Sequence, residues 1–149
     1  MDVTPVKDFD LGRYLGAWYE IARFENRFEK KCARNVMARY GATNKPGRIT
    51  VTNECQRADG RMTVANGYGK VDGAGGQLKV SFFRPFWARY WVLAVGPEYQ
   101  WSLVGEPKRE YLWILSRTPT LGAEVLEAIK AKAVEQGFDV SKLLMTPQG

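Results

Sequence analysis

Few side chains in this sequence could do chemistry, because its 149 residues include no histidine. Without an imidazole the chain has no Ser-His-Asp or Cys-His arrangement, no histidine-ligated haem and no His-rich zinc site. The two cysteines, Cys32 and Cys55, are too few for a closed zinc site and too far apart for a Cys-x-x-Cys redox pair. The sequence therefore predicts no catalytic residue, no metal site and no cofactor.

One catalytic alternative stays open, an enzyme that acts on a hydrophobic substrate. Glu20 or a tyrosine would be its acid or base, since a single carboxyl group with a perturbed pKa can transfer a proton. The lack of histidine and of a cysteine nucleophile with a partner disfavours this alternative. A protein that only binds a ligand needs none of these groups.

The elements that must position the remaining side chains are mostly strands. Turn residues such as Asn44–Gly47 and Asp72–Gly76 recur at short intervals, and the segments between them are rich in β-branched and aromatic residues. This pattern predicts an antiparallel meander that closes into a sandwich or a barrel. Eight strands are predicted, at Gly16–Glu25, Val36–Ala42, Arg48–Cys55, Arg61–Val71, Gln77–Phe83, Arg89–Gly96, Gln100–Val104 and Tyr111–Arg117.

A helix is predicted after the last strand, where the apolar residues change to helical spacing. Thr120 would cap its start and Gly137 its end. Its apolar stripe would pack on the outside of the sheet and consists of Leu121, Val125, Leu126, Ile129 and Ala133. The length suits one domain over residues 1–149.

Two segments carry a resemblance to a known family. Gly16–Arg23, which contains Trp18, resembles the Gly-x-Trp signature of the lipocalins, and Trp113–Pro119 resembles their last-strand signature with Arg117 as its arginine. With Phe82–Phe86 and Gly137–Lys142 added, the chain resembles a bacterial lipocalin of the outer-membrane lipoprotein type. The middle signature, normally Thr-Asp-Tyr, departs from the family as Val95–Tyr99.

The resemblance implies an all-β fold, an eight-stranded antiparallel up-and-down barrel with one C-terminal α-helix packed outside. Gly16, Trp18 and Arg117 would be structural residues. Trp18 would plug the closed end of the barrel, and Arg117 would lie across its indole while donating hydrogen bonds to backbone carbonyls.

Cys32 and Cys55 fall at the far ends of the second and third predicted strands. A hairpin through Asn44–Gly47 would bring them side by side, so a disulfide is reasonable, and the pairing also resembles one found in many bacterial lipocalins. Two buried free thiols are the alternative. A disulfide would mean that the protein matures in an oxidising compartment.

Strand alternation predicts the side chains that line the barrel, although in the first and fourth strands either face could be the inner one. The resemblance settles that choice and places Glu20 inward. Small residues such as Ala38, Ala65, Gly67, Gly69 and Ala94 would leave an open cavity. The predicted ligand contacts are Phe24, Ala38, Tyr40, Val51, Asn53, Phe82, Tyr90, Val92, Leu103, Tyr111 and Trp113.

The chain is basic, with 22 Lys and Arg residues against 16 Asp and Glu residues and a net charge of +6. A basic surface can attract nucleic acid, but that function needs exposed aromatic residues on one sheet face, and here the aromatic residues point inward. No nucleic-acid partner is therefore expected. The cations predicted near the barrel mouth are Lys30, Lys31, Arg34, Arg84 and Arg89.

An acyl chain suits this apolar lining, and burying about ten methylenes yields some 8 kcal/mol before association costs. With Tyr90, Tyr111 and Asn53 near the mouth, the rim cations suit a fatty-acid carboxylate or a lysophospholipid head group. The resemblance implies the same ligands and a place at the bacterial cell envelope, in the periplasm or at the outer membrane, although no export signal is recognisable in this chain.

The segment Pro85–Trp87 is predicted as a loop tip beside the mouth. Phe86 and Trp87 could contact a membrane surface, since exposed aromatic residues flanked by arginines suit anionic head groups. A loop folded down to roof the cavity is the equal alternative.

Overall fold

A computed structural model describes residues 2–83 and 85–149, so the predicted rim cation Arg84 lies outside the described residues. The described strands are β1 (Gly16–Phe24), β2 (Arg34–Ala42), β3 (Arg48–Gln56), β4 (Met62–Val71), β5 (Gln77–Phe83), β6 (Phe86–Val95), β7 (Trp101–Gly105), β8 (Leu112–Ser116) and β9 (Leu143–Met145). The helices are α1 (Leu11–Tyr14) and α2 (Ala123–Glu135), and 3-10 turns cover Arg27–Glu29 and Val140–Lys142. None of the helices in the described ranges is long and apolar enough to cross a membrane.

The sheet closes into a barrel, because β1 pairs with β2 on one side and with β8 on the other. All pairings are antiparallel, and β2 to β8 follow one another in chain order. The predicted eight-stranded up-and-down barrel with an outer C-terminal helix is therefore confirmed. The strand β9 is additional to the eight and pairs with the last part of β1.

The C-terminal tail fills the seam between β1 and β2, which pair directly only over the first half of β1. Beyond that point the Asn35 amide donates to the Pro147 carbonyl at 2.9 Å. The side chain of Gln148 donates to the carbonyls of Glu20 and Val36 at 2.9 and 3.0 Å. The tail thereby supplies hydrogen bonds to backbone groups that strand pairing leaves open.

The sheet separates two apolar clusters. The inner cluster fills the barrel and consists of Tyr14, Trp18, Tyr40, Ile49, Val51, Leu78, Tyr90, Val92, Tyr99, Val104 and Leu115. The outer cluster consists of Val3, Ile21, Ala22, Phe24, Leu93, Trp101, Leu103, Leu112, Ile114, Ile129, Ala133 and Phe138. Because the outer cluster includes residues of α2, its strand residues face away from the interior.

Phe24 and Leu103, which were predicted to line the interior, belong to the outer cluster. The Phe24 ring lies 6.3 Å from the ring of Phe138, centroid to centroid. The expectation that these two side chains face the cavity is wrong. In β7 every residue is buried, since the interior covers one face and α2 the other, so alternation gives no signal. Ser102 and Val104 face inward instead.

A β-bulge in β1 explains the error at Phe24. The register changes from Glu20 opposite Leu115 to Ala22 opposite Ile114, which inserts one residue and reverses the alternation. Before the bulge, Glu20 points into the barrel. After it, Arg23 points inward and its two neighbours in β1 point towards α2.

A second irregularity lies in β6, between Val92 and Ala94. It keeps Val92 in the inner cluster and turns Ala94 to the outer one. The expectation that Ala94 leaves free space inside the barrel is therefore wrong, again because an inserted residue exchanges the two faces of a strand.

The helix α2 begins after Gly122 rather than after Thr120. The Thr120 carbonyl already accepts a hydrogen bond from the Thr118 hydroxyl at 2.7 Å, in a separate turn that precedes the helix. Gly137, with φ of 86°, follows the end of α2, as the sequence predicted. Ile129 and Ala133 are fully buried against the sheet, so the predicted packing of this helix on the outside of the barrel is confirmed, whereas Val125 of the predicted stripe is 39% exposed.

The predicted disulfide is confirmed. Cys32 and Cys55 are bonded with a Cα–Cα distance of 5.4 Å, and free thiols are absent from the described residues. The bond ties the loop between β1 and β2 to the end of β3 at one end of the barrel.

Candidate functional site

The closed end of the barrel is sealed by Trp18, which is fully buried. Its indole nitrogen donates to the Tyr14 carbonyl at 2.8 Å, and the Arg117 guanidinium carbon lies 3.7 Å from the indole centroid. Gly16, with φ of 107°, leaves room for the guanidinium, since a Cβ there would lie 3.2 Å from Nη1. The same guanidinium donates to the backbone carbonyls of Arg13, Leu15, Ala17 and Tyr99.

Above Trp18, a chain of buried hydroxyls forms the floor of the barrel. Tyr14 is hydrogen-bonded to Ser102 at 2.9 Å and to Tyr90 at 2.8 Å, and Tyr90 is bonded to Tyr40 at 2.8 Å. Burial raises the pKa of Tyr14 to about 12 and raises the pKa values of Tyr40 and Tyr90 as well. The floor is therefore uncharged at neutral pH. Tyr90 lies on this floor and not near the mouth as predicted.

The upper half of the interior is open to solvent. Ala88 shares the inward face of β6 with Tyr90, two residues away, yet it is exposed. Ala65 lies opposite Asn53, which shares the inward face of β3 with Val51, and Ala65 is exposed as well. Solvent therefore reaches the inner wall of the barrel above the floor.

The predicted ligand contacts divide by position. Those in the inner cluster or packed against it are Ala38, Tyr40, Val51, Phe82, Tyr90, Val92 and Trp113. Asn53 lies opposite Ala38, and Tyr111 stacks on Trp113 with centroids 5.7 Å apart and planes within 7°. That these residues contact a ligand stays a prediction.

A glycine in β4, Gly67, lets an aromatic ring pack against the backbone of the barrel wall. A Cβ at Gly67 would lie 2.7 Å from Cδ1 of Phe82, so the Phe82 ring packs directly across the β4 backbone. At the mouth, an open depression of ≈ 420 Å³ is lined by Glu25, Asn26, Arg27, Glu110 and Tyr111. A second depression of ≈ 400 Å³ lies on the outer face of β3 and β4, beside Thr50, Thr52, Asn66 and Tyr68.

A charged cluster lies on the inner wall. It joins Glu20 and Trp113, which the sequence predicted to face inward, to Arg23 and Glu29, which it did not. Nη1 of Arg23 is 2.9 Å from a carboxylate oxygen of Glu20 and 3.3 Å from one of Glu29. The indole nitrogen of Trp113, opposite Arg23 in the register, donates to the other oxygen of Glu29 at 2.7 Å. The hydroxyl of Thr146 donates to Glu20. Strand alternation places Arg23 outside, and only the bulge in β1 brings it in.

Glu20 is only 3% exposed. Burial raises the pKa of its carboxyl group well above the ordinary value, and the neighbouring Glu29 adds to the rise. The hydroxyl of Thr146 and the charge of Arg23 act in the opposite direction. Among the described residues, no three His, Cys, Asp or Glu side chains are placed to hold a metal ion.

Comparison with known proteins identifies the family to which this barrel belongs. A family model described as a lipocalin-like domain matches residues 9–148. The chain belongs to the lipocalin family. It is 46% identical over 149 residues to the outer membrane lipoprotein Blc of Escherichia coli strain K12, covering 98% of this chain and 83% of that protein.

Other lipocalins are similar to this chain in sequence or in fold. Temperature-induced lipocalin-1 of Arabidopsis thaliana is 41% identical over 156 residues, covering 99% of this chain and 83% of that protein. The solved structure of insecticyanin from the tobacco hornworm Manduca sexta matches with a TM-score of 0.78 at 24% identity, covering 98% of this chain and 84% of the other. Lipocalins as a family bind or transport small hydrophobic molecules.

The mouth of this lipocalin carries exposed aromatic side chains. Phe83 and Phe86 are 81% and 75% exposed, and they lie opposite each other at the adjoining ends of β5 and β6. The strand β6 begins at Phe86, so the loop predicted at Pro85–Trp87 is shorter than expected, because aromatic residues favour the strand. Trp87 is half-buried, with the Lys70 nitrogen 4.4 Å from its ring centroid.

Of the cations predicted at the rim, Lys30 and Lys31 are exposed just after the turn Arg27–Glu29, and Arg34 is half-buried. Arg89 faces outward, opposite Lys79, because its neighbours in β6 point inward. Arg89 therefore belongs to the outer wall and not to the rim.

Proposed function

We propose that this lipocalin binds the acyl chain of a single-chain lipid in the open upper half of its barrel. The observation that carries the proposal is the solvent exposure of Ala65 and Ala88 on the inner wall, above a floor that is packed. Fatty acids and lysophospholipids are the ligands that fit best, because one chain suits one narrow apolar barrel. Predicted contacts above the floor include Ala38, Asn53 and Phe82.

The expected affinity depends on how many methylenes of the acyl chain are buried in the barrel. Each buried methylene contributes about 0.8 kcal/mol, so about ten methylenes give some 8 kcal/mol before the cost of association. We therefore expect micromolar affinity or weaker. The hydroxyls of Tyr40 and Tyr90 are already paired with one another and with Tyr14, so the floor offers the chain end an apolar surface.

Filling the open space tests this proposal. We expect that Ala65→Trp and Ala88→Trp each weaken the binding of dodecanoate at least tenfold, measured by titration calorimetry, because the new indole occupies the site of the chain. Val64→Trp is the matched control, since Val64 is 56% exposed on the outer face of the same strand. Folded Ala65→Trp and Ala88→Trp proteins that bind dodecanoate as tightly as the parent would refute the proposal.

Binding without catalysis is the proposed activity. The carboxyl of Glu20, the acid or base of the enzymatic alternative, is nearly inaccessible and engaged by Arg23 and Thr146. A group in this position holds the fold of the inner wall together. The absence of turnover on lysophospholipids that bind is the expected result.

We further propose that the protein stores or carries its lipid at the cell envelope, with its mouth against an anionic membrane. The support is that its bacterial relatives are outer membrane lipoproteins, and that Phe83 and Phe86 are exposed at the same end of the barrel as Lys30 and Lys31. Trp87 contributes less than the sequence predicted, because it is half-buried beneath Lys70.

Co-sedimentation with vesicles tests the membrane contact. We expect Phe83→Ser combined with Phe86→Ser to lose most binding to vesicles of phosphatidylglycerol and phosphatidylcholine, since exposed aromatic rings insert at the head-group level. Val134→Ser, at an exposed position on α2, is the control. Equal sedimentation of the two proteins would remove the membrane contact and leave lipid binding untouched.

A further inference from the structure

The inner wall of the barrel already holds a carboxylate on two donors, and the capping side chain of the mouth turn adds a third, because Nδ2 of Asn26 donates at 3.1 Å to the same Glu29 oxygen as Trp113. The Glu29 carboxylate comes from the turn Arg27–Glu29 at the mouth and lies between the indole nitrogen of Trp113, at 2.7 Å, and the guanidinium of Arg23, at 3.3 Å. Arg23 and Trp113 are fixed parts of the wall, because they lie opposite each other in the paired strands β1 and β8. Glu29 alone among the three belongs to a loop.

The two sides of Arg23 are held differently. On one side it pairs with Glu20, which is fixed by β1 and by the hydroxyl of Thr146. On the other side it meets Glu29, whose buried Oε2 has this ion pair but no hydrogen bond. The loop side of the cluster is therefore the side that can be exchanged without disturbing the wall.

The turn that carries Glu29 lies between two attachments to the wall. Before it, the side-chain amide of Asn26 donates to the Phe24 carbonyl, and after it Cys32 is bonded to Cys55 and accepts a hydrogen bond from Arg23. Asn26 caps the turn by accepting hydrogen bonds from the amides of Phe28 and Glu29, which orients the carboxylate inward. Phe28 is 59% exposed and stacks on Tyr111 with ring centroids 5.7 Å apart. The turn thus covers Trp113 with one aromatic contact and one carboxylate.

We propose that Arg23 and Trp113 form a subsite for the oxyanion head group of an acyl ligand, and that Glu29 occupies this subsite until the ligand displaces it. The inference rests on the proposed function, since the acyl chain must lie in the upper half of the barrel. A carboxylate or a phosphate can take over both donors. An uncharged head group cannot do so, because displacing Glu29 would leave this side of the Arg23 guanidinium without an anion.

Charge balance supports the exchange. Replacing one carboxylate by another leaves the net charge around Arg23 unchanged, so the ligand pays no additional cost for burying an ion. Long acyl chains with an acidic head group are therefore the ligands that this wall selects.

The test compares dodecanoate, dodecyl phosphate and dodecanol, which share one chain length. We expect Glu29→Gln to tighten the binding of the two anions about tenfold and to leave the binding of dodecanol unchanged, because the internal competitor is lost. Glu25→Gln, at an exposed position before the same turn, is the control and should change none of the three. The two anions separate a carboxylate site from a phosphate site.

The donors are tested in the Glu29→Gln background, where no internal carboxylate competes. We expect Trp113→Phe to weaken anion binding at least fivefold while dodecanol binds as before, since only the N–H is removed. In the parent protein, the NMR signal of the Trp113 indole N–H should move with dodecanoate and stay with dodecanol. Equal effects on anions and alcohol would overturn the subsite, whereas failure of all three ligands to bind would overturn the proposed function instead.

Discussion

Arg117 joins the two sides of the closed end through one side chain. It stacks on Trp18 and bonds four carbonyls of the segments on either side of it. We expect Arg117→Ala to lower the free energy of unfolding by about 2–4 kcal/mol, because charge-assisted hydrogen bonds and a cation–π contact are lost together. Affinity per folded molecule should stay nearly unchanged, since Arg117 lies outside the cavity.

Thermal unfolding and dodecanoate titration of the same samples check this prediction. Arg39→Ala is the control, because Arg39 makes only an exposed ion pair with Glu54 and such pairs contribute little. An Arg117→Ala protein that unfolds at the parent's temperature would contradict the structural role of this signature residue.

Glu20 should make the stability of the fold depend on pH. Its pKa is raised in the folded protein above its ordinary value of 4.5, so the folded chain holds more protons than the unfolded chain between the two values. The contribution of Glu20 to stability is then full below pH 4.5 and falls as pH rises towards the raised pKa. The groups facing Glu20 are Arg23 from β1, Glu29 from the mouth turn and Thr146 from the tail.

Urea unfolding between about pH 5 and 8 measures this dependence, and the lack of histidine removes the side chains that usually titrate there. We expect the parent to lose stability across the range and Glu20→Gln to lose much less. A parent and a variant with parallel pH profiles would show that Glu20 stays ionised in the fold.

At the scale of single residues, the sequence predicted the positions of side chains that belong to recognisable motifs. It did not predict side chains whose positions depend on a bulge or a turn. Trp18, Arg117 and the cysteine pair lie in recognisable segments, and their contacts are as expected. Arg23 and Glu29 carry no such mark. A bulge turns Arg23 inward and a three-residue turn brings Glu29 to it, and neither has a pattern in the sequence.

Among the elements, the alternation of apolar and polar residues located the strands well, but it was less successful in predicting which side chains face the inside of the barrel. It was reliable in β3 and β5, whose predicted inward residues Ile49, Val51, Leu78, Val80 and Phe82 lie in the inner cluster or pack against it. It failed in β7, where both faces are covered, and after the bulges in β1 and β6. Leu103, Phe24 and Ala94 were misplaced for these reasons.

The loop between β1 and β2 depends on the disulfide that anchors it. Reduction of Cys32–Cys55 should lower the free energy of unfolding by about 3 kcal/mol, because an unfolded chain without this cross-link has more conformations. The melting temperature with and without reductant measures it. A Cys32→Ser and Cys55→Ser double variant should have the melting temperature of the reduced parent, with or without reductant. A parent whose melting temperature does not change with reductant would contradict the prediction.

In the whole molecule, the barrel is divided into a packed lower half and an open upper half. The resemblance predicted the barrel, its helix and its closed end. It did not predict how deep the cavity reaches, because Tyr14 precedes the first strand and no periodicity shows that its ring enters the barrel. The C-terminal tail that fills the seam between β1 and β2 was also missed, because no periodicity in the sequence shows that it joins the sheet.

The most direct measurement of the central idea is native mass spectrometry of the protein purified from cells, alongside Ala65→Trp and Val64→Trp. We expect the parent and Val64→Trp to carry one acyl lipid per chain, and Ala65→Trp to emerge without it. A parent that carries no lipid and takes up none from an added mixture of fatty acids and lysophospholipids would contradict the account.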